Sequence, residues 1–373
     1  MAALAGVLGR DPRILFIPYV TPAPTSERTP VLLELLRERY PLVALSAPWD
    51  RIVYDPTRPP WARALLYVLD KVLLILRGVL EGRRFRANLV FCESAHHALA
   101  GVGIARLLGA RCVWDSHGNG ALFFEAMGKR GLFARLTQRL ESFLGHSVDE
   151  LITVSKIDAD AYVGMGLPRE KVHVIPTCAG RSLLENDGGD PAKVSPLPVI
   201  LFFGSFTYEP NRDALEFINR TLAPYLDRQG VRCEILIAGR DVPRGPFHPS
   251  IRVIGFVPDI YAQIRSATLS IVPVRKGVGI LTKVVDVMAC GTPVVMFAFA
   301  RRGIPGIQHG VNAYVASTEE EFLRGVKDAL SDEGMRGAMA HRARELVQRE
   351  YVWDAYLPRL DAILRGSPSN VGA

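Results

Sequence analysis

Residues 274–295, VRKGVGILTKVVDVMACGTPVV, carry the pattern that sets the fold. An apolar run over 269–274 leads into a loop bearing Arg275, Gly277 and Gly279, and then into a helical stretch with Lys283 and Asp286. Strand, glycine loop and helix in succession make the unit of an open α/β sheet. Glycine lets the backbone come close to a ligand, and a helix starting there directs unpaired N–H groups at an anion. Lys283 and Asp286 lie three apart and so share one helix face. A cation and a carboxylate so placed suit a nucleoside diphosphate, the one for phosphate and the other for ribose hydroxyls. Gly291-Thr292-Pro293 ends the helix, and Val294 starts another strand.

Outward from this stretch, 373 residues suffice for two domains, and 49% hydrophobic content lets each bury a core. At 22% charged residues the composition is that of a globular chain, not a disordered one. A net charge of +7 favours anionic partners. Aromatics are not interleaved with basic runs, which argues against nucleic acid as the partner. Cys92, Cys112, Cys178, Cys233 and Cys290 are scattered without CxxC spacing, and most border apolar runs. This is the usage of reduced, buried thiols in a cytoplasmic protein and implies no zinc site. MAALAGVLGRDPR at the N-terminus is too short and too weakly charged for a signal peptide.

The first half alternates strand and helix. An apolar run over 14–20 is followed by the loop TPAPTSERTP, which carries Ser26 and Arg28, and a helical pattern over 31–39 comes next. A strand over 42–46 precedes a long helix over 61–84. The middle of that helix, ALLYVLDKVLLILRGVL, is apolar nearly all round, but Asp70 and Lys71 interrupt it and argue against a membrane span. Arg58, Arg63, Arg77, Arg83, Arg84 and Arg86 lie in or beside it. Two readings remain open: burial against the sheet with basic ends in water, or contact with an anionic membrane surface. Strands over 89–92 and 111–114 flank a small-residue helix, and the second runs into Asp115-Ser116-His117-Gly118-Asn119-Gly120. His117, just past a strand end among glycines, is placed to reach a ligand. A helix over 132–144 with Arg135, Arg139 and Glu141 on its polar side precedes a strand ending at Ser155. Asp158-Ala159-Asp160 then reads as a helix's first turn, where carboxylates suit the dipole, and not as a metal motif. KVHVIP, 171–176, is the last strand of this half.

Residues 179–198 combine glycine, acidic residues and three prolines with little periodicity, which marks the boundary between domains. The expectation is a first domain over 1–180, a linker over 181–198, a second domain over 199–349 and a terminal helix over 350–366. The second series contains GSFTYEPNRDALEFI, ILIAG, GFVPDI, the opening stretch and, later, EYVW. In that order these motifs resemble family 4 retaining glycosyltransferases of the two-domain GT-B architecture, in the variant subgroup with an RxGxGxxxK donor motif. WDSHG, DELITVS and GLPREKVHVIP extend the resemblance over nearly the whole chain.

The resemblance implies two tandem doubly wound Rossmann-like domains with a cleft between them, the first binding the acceptor and the second a nucleotide-diphosphate sugar. It implies that Gly204, Gly277 and Gly279 lie along the donor diphosphate, that Arg275 and Lys283 neutralise it, and that Asp286 holds the ribose. His117 is then the catalytic-side residue near the transferred sugar, with Asp115, Ser26 and Arg28 on the acceptor side. It implies that the terminal helix crosses back to the first domain. The implied reaction moves a hexosyl group to a glycan or lipid-linked acceptor with retention. Arg275, Lys283 and backbone N–H groups can stabilise the departing diphosphate without a metal or other cofactor. The cytoplasmic placement read from the cysteines leaves contact with the inner face of a membrane open. Asp286 stands where the family usually has glutamate, and Lys276 and Val278 stand where its earlier glutamate is expected. Competing readings are a sugar-nucleotide epimerase and a non-catalytic partner of an active transferase.

Overall fold

The computed structural model describes residues 11–19, 28–46, 58–128, 131–180, 183–184, 196–277 and 279–366. Two compact units emerge. The first takes residues 1–176 and 356–373, the second residues 177–355.

The first unit is a six-stranded parallel sheet in the order β2-β1-β3-β4-β5-β6. Its strands are β1 (Ile14–Ile17), β2 (Leu42–Ala44), β3 (Leu89–Glu93), β4 (Arg111–Ser116), β5 (Glu150–Thr153) and β6 (Val172–Val174). β1 and β3 have no exposed residue, as expected of parallel strands covered on both faces. The helices are α1 (Arg28–Arg39), α2 (Pro60–Phe85), α3 (Ser94–Leu108), α4 (Gly120–Ala126), α5 (Leu132–Ser147) and α6 (Lys156–Gly164). α13 (Trp353–Arg365) returns to this unit. There Asp361 accepts from Arg39 at 2.7 Å and from the Tyr40 hydroxyl at 2.8 Å.

The second unit repeats the plan with the order β12-β11-β10-β7-β8-β9, again all parallel. It contains β7 (Val199–Phe203), β8 (Glu234–Ala238), β9 (Ile251–Gly255), β10 (Leu269–Val272), β11 (Val294–Phe297) and β12 (Tyr314–Ala316). Its helices are α7 (Glu209–Phe217), which continues through one π turn into α8 (Ala223–Arg228), then α9 (Ile260–Ser266), α10 (Thr282–Ala289), α11 (Glu319–Ser331) and α12 (Glu333–Glu350).

In each sheet the chain reverses its direction of travel at one place. The first strand pairs with the second on one side and with a later strand on the other, β1 with β3 and β7 with β10. The crevice at the carboxyl ends of those strands is where open α/β sheets take ligands.

Two readings of helix faces are corrected. Glu141, assigned to the polar side of its helix, is buried, because its carboxylate accepts the backbone N–H groups of Gly120 and Ala121 at the start of α4. α2 does not bury its apolar stripe. Gly78 and Gly82 give it a flat ridge on which Ile104 and Leu108 of α3 pack, so the glycine side with Asp70 and Lys71 turns inward and the leucine side faces out. Arg28, read as a loop residue, opens α1. Among the described residues, no helix is long and apolar enough to cross a membrane.

Candidate functional site

In the first unit the residues past β1, β3 and β4 converge. Arg28 lies fully inside, its Nε and Nη2 each 2.9 Å from a different oxygen of Asp115 and its Nη1 on the carbonyls of Ile175 and Pro176. Burial alone would raise the Asp115 pKa, but Arg28 and His117 outweigh it and hold it at about 2. His117 Nε2 stands 3.5 Å from Glu93 Oε1 and 3.7 Å from Asp115 Oδ2. Burial would discharge the imidazole, yet the two carboxylates raise its pKa to about 9. The result is an imidazolium at neutral pH, 22% exposed at its side chain and in edge contact with Tyr19.

The loop and helix after His117 set its position. Asn119 accepts the Leu122 N–H as the cap of α4, and its own N–H donates to Asp158. Asp158 lies in the first turn of α6 behind the cap residue Ser155, as the sequence predicts. Ser116 meets the Tyr162 hydroxyl at 2.9 Å. A cavity of about 560 Å³ opens beside this loop, lined by Asn119, Leu122, Glu125, Arg135 and Met165 among others.

Sequence reasoning missed Glu93. It lies at the end of β3 with no solvent exposure, and its Oε2 accepts from the Tyr19 N–H at 2.7 Å and the Thr29 hydroxyl at 2.8 Å. Its neighbour Ser94 takes φ +62, a conformation rare outside glycine. Among the described residues, Glu93 Oε1, Ser94 Oγ and His117 Nε2 have no hydrogen-bond partner. Orphaned buried groups at a sheet's switch point mark where ligand hydroxyls can bind. The signal available in the sequence was the carboxylate ending a buried strand in FCES.

Glu93, Asp115 and His117 are also the one group of three potential metal-ligand atoms among the described residues. Both Asp115 oxygens are engaged by Arg28, and His117 is held as a cation. Ser26 lies outside the described residues.

In the second unit the switch point is lined by glycines. Gly204 has φ +153, Gly277 φ +141 and Gly279 φ +70. Gly239, at the end of β8, presses so closely that an added Cβ would stand 1.8 Å from the Gly204 carbonyl oxygen. Lys283, in the first turn of α10, reaches across to β7 and α7, where its Nζ donates to Phe203 O at 2.7 Å and Asn211 Oδ1 at 2.8 Å. A Cβ at Gly204 would come within 2.9 Å of that nitrogen. Burial lowers the Lys283 pKa to about 7, with Asp286 opposing the shift. Gly204, Lys283 and Asn211 thus form one bare, cationic patch, with Asp286 one turn along α10 from Lys283.

Arg275 is held differently. Its guanidinium lies 4.6 Å from the ring centres of both Phe217 and Phe297 and pairs with Glu319 at 2.7 Å. It borders a cavity of about 290 Å³ with Phe299 and Ser317. Lys276 is tied to Glu209 and Asp213 of α7 at 2.8 and 2.7 Å. Val278 lies outside the described residues.

Residues 5–178 match the model of the glycosyl transferase 4-like domain, and residues 197–332 match that of glycosyl transferases group 1. No curated protein sequence matches the chain. Among solved structures, sucrose-phosphate synthase of Thermosynechococcus elongatus superposes with a TM-score of 0.72 at 16% identity, covering 96% of this chain and 99% of its own. HepE of Anabaena, solved with UDP and glucose, gives 0.70 at 14% identity, covering 95% and 100%. A glycosyltransferase of Rickettsia africae gives 0.67 at 13%, covering 96% and 98%. Both halves of the sequence and the whole fold point the same way, and the chain belongs to the GT-B glycosyltransferases, with a glycosyl transferase 4-like first half and a group 1 second half.

Proposed function

We propose that the protein transfers a hexosyl group from a nucleoside-diphosphate sugar to a glycan or lipid-linked acceptor, with retention and without a metal, as a member of the RxGxGxxxK subgroup. The observation that carries this reading is Lys283, half-buried, whose Nζ spans the β7/β10 switch point beneath the backbone of Gly204 and becomes a full cation when an anion binds there. A departing diphosphate needs countercharge placed in advance, and an ammonium, glycine N–H groups and the start of α10 can supply it. Asp286 fits the ribose hydroxyls. Arg275, gripped by Glu319 and two phenylalanines, contacts the diphosphate only if Glu319 releases it, so Lys283 is the principal cation.

On the acceptor side, the His117 imidazolium donates to a sugar hydroxyl while Glu93 accepts from one, which orients the sugar without requiring either to form a bond to it. Retention then follows if the acceptor attacks from the face the diphosphate leaves, a phosphate oxygen taking the acceptor proton. In the domain assignment that goes with this reading, residues 1–180 serve the acceptor, 199–349 the donor, and the helix within 350–366 belongs with the first. Peripheral contact with an anionic membrane and a place at its cytoplasmic face belong to the same reading, in polysaccharide or glycolipid synthesis. UDP-glucose is the first donor to test, because the HepE structure holds UDP and glucose. Release of UDP that depends on Lys283 supports the proposal, and no release from any sugar nucleotide refutes it. A non-catalytic partner would bind the nucleotide without releasing it, and an epimerase would change the sugar without an acceptor.

A further inference from the structure

The first unit presents an apolar surface that no described part of the chain covers. On α2, Trp61, Leu65, Leu69, Val72, Leu76 and Leu80 recur at helical spacing and are 41–71% exposed. On α5, Leu132 and Phe133 are 70% and 78% exposed, and Leu136, Leu140 and Phe143 continue the stripe by the same spacing. α3 packs against both helices and adds Leu99 and Leu107, 41% and 59% exposed, between them. Three adjacent helices thus turn large apolar side chains outward, which a water-facing layer does not do.

The charge on this layer selects the occupant. Arg77, Arg83 and Arg84 of α2, Arg106 of α3, and Arg135 and Arg139 of α5 are exposed. Against them stands Glu81, half-buried and paired with Arg84, since Asp70 and Glu141 are buried. Two copies of this face would bring like charges together, whereas an anionic bilayer offers both the apolar interior and the countercharge.

We infer that α2, α3 and α5 form a monotopic docking face for an anionic lipid bilayer, with the leucines and aromatics in the acyl boundary and the arginines at the headgroups. The face deepens the transferase reading and rests on it only for the acceptor. Arg135 borders the cavity beside Asn119, on the helix whose Leu132 and Phe133 enter the lipid, so a lipid-linked acceptor reaches the His117 loop from the membrane side.

The test uses the full chain with vesicles of phosphatidylcholine alone or with phosphatidylglycerol. Wild type floats with the mixed vesicles and is at least about tenfold weaker on phosphatidylcholine alone. Trp61, 71% exposed, has its fluorescence quenched by brominated acyl chains, and Trp61→Phe removes that quenching. Substituting Leu65, Leu69 and Leu76 with Ser, or Arg77, Arg83, Arg84 and Arg139 with Gln, lowers flotation about tenfold or more. UDP-glucose hydrolysis in detergent-free buffer, unchanged in these surface variants, separates failure of the docking face from failure of the transferase reading. Wild type that ignores both vesicles, variants that float like wild type, or a dimer that dissociates in the leucine variant overturns the inference.

Discussion

Arg28 and Asp115 form a two-pronged pair, each prong 2.9 Å, with neither side chain more than 2% exposed. The pair joins the first turn of α1 to the end of β4, and the Ile175 and Pro176 carbonyls occupy another guanidinium nitrogen. Arg28→Ala leaves the buried Asp115 carboxylate with only His117, 3.7 Å away, as a counter-charge, and the expected cost is about 3–5 kcal/mol. Urea denaturation measures it. Arg28→Lys recovers only part, because a single ammonium lacks the planar fork. A loss below about 1 kcal/mol for Arg28→Ala would show that the pair does not organise the site.

His117 titrates near 9 because Glu93 and Asp115 favour its charged form over the effect of burial. Its folded pKa exceeds the free value of 6.5, so its contribution to stability is complete below 6.5 and is lost as pH rises through 9. Glu93→Gln keeps the shape and removes one charge. Imidazole NMR should then give a pKa lower by about 1 or more. The alkaline limb of the transfer profile should move with it, and a limb that stays in place would detach His117 from turnover.

The alternation of strand and helix was legible in the sequence because each buried parallel strand is a short apolar run and each loop a cluster of glycine, proline or polar residues. Arg28, Asp115 and His117 were legible as residues near strand ends, but their joining was not, since 87 residues separate Arg28 from Asp115. Glu93 was hidden by the same effect: a carboxylate ending a strand gains meaning only when β1 lies beside β3. The three-residue β12 is too short to show a period. For α2 the stripe was visible but its direction was not. Gly78 and Gly82, four apart, were the clue, because helices approach closest where side chains are absent.

Lys283, lowered to about 7 by burial, is half charged at neutral pH. A diphosphate against it favours the ammonium, so binding takes up a proton when pH lies above 7. Titration calorimetry of UDP at pH 8, in two buffers of different ionisation enthalpy, should report uptake approaching about one proton, and affinity should weaken as pH rises further. Lys283→Ala should abolish the uptake. Equal heats in both buffers for wild type would place the nucleotide away from Lys283.

Gly204 supplies bare backbone at φ +153, and a Cβ there would stand 2.7 Å from Asn211 Nδ2 and 2.9 Å from Lys283 Nζ. Gly204→Ala should therefore weaken UDP binding by about tenfold or more, through displacement of the lysine. Gly230→Ala, also at positive φ but with open space around its Cβ, is the control for backbone strain alone. Equal UDP affinity in the two variants would count against the phosphate cradle.

Donor activation at Lys283 meets its sharpest test in nucleoside diphosphate release from a panel of sugar nucleotides by wild type and Lys283→Ala. Wild type should release the diphosphate from at least one donor, with the rate reduced about a hundredfold or more in Lys283→Ala, and Lys283→Arg falling between the two. Release from no donor, or equal release by wild type and Lys283→Ala, would contradict a donor-activating role for this lysine.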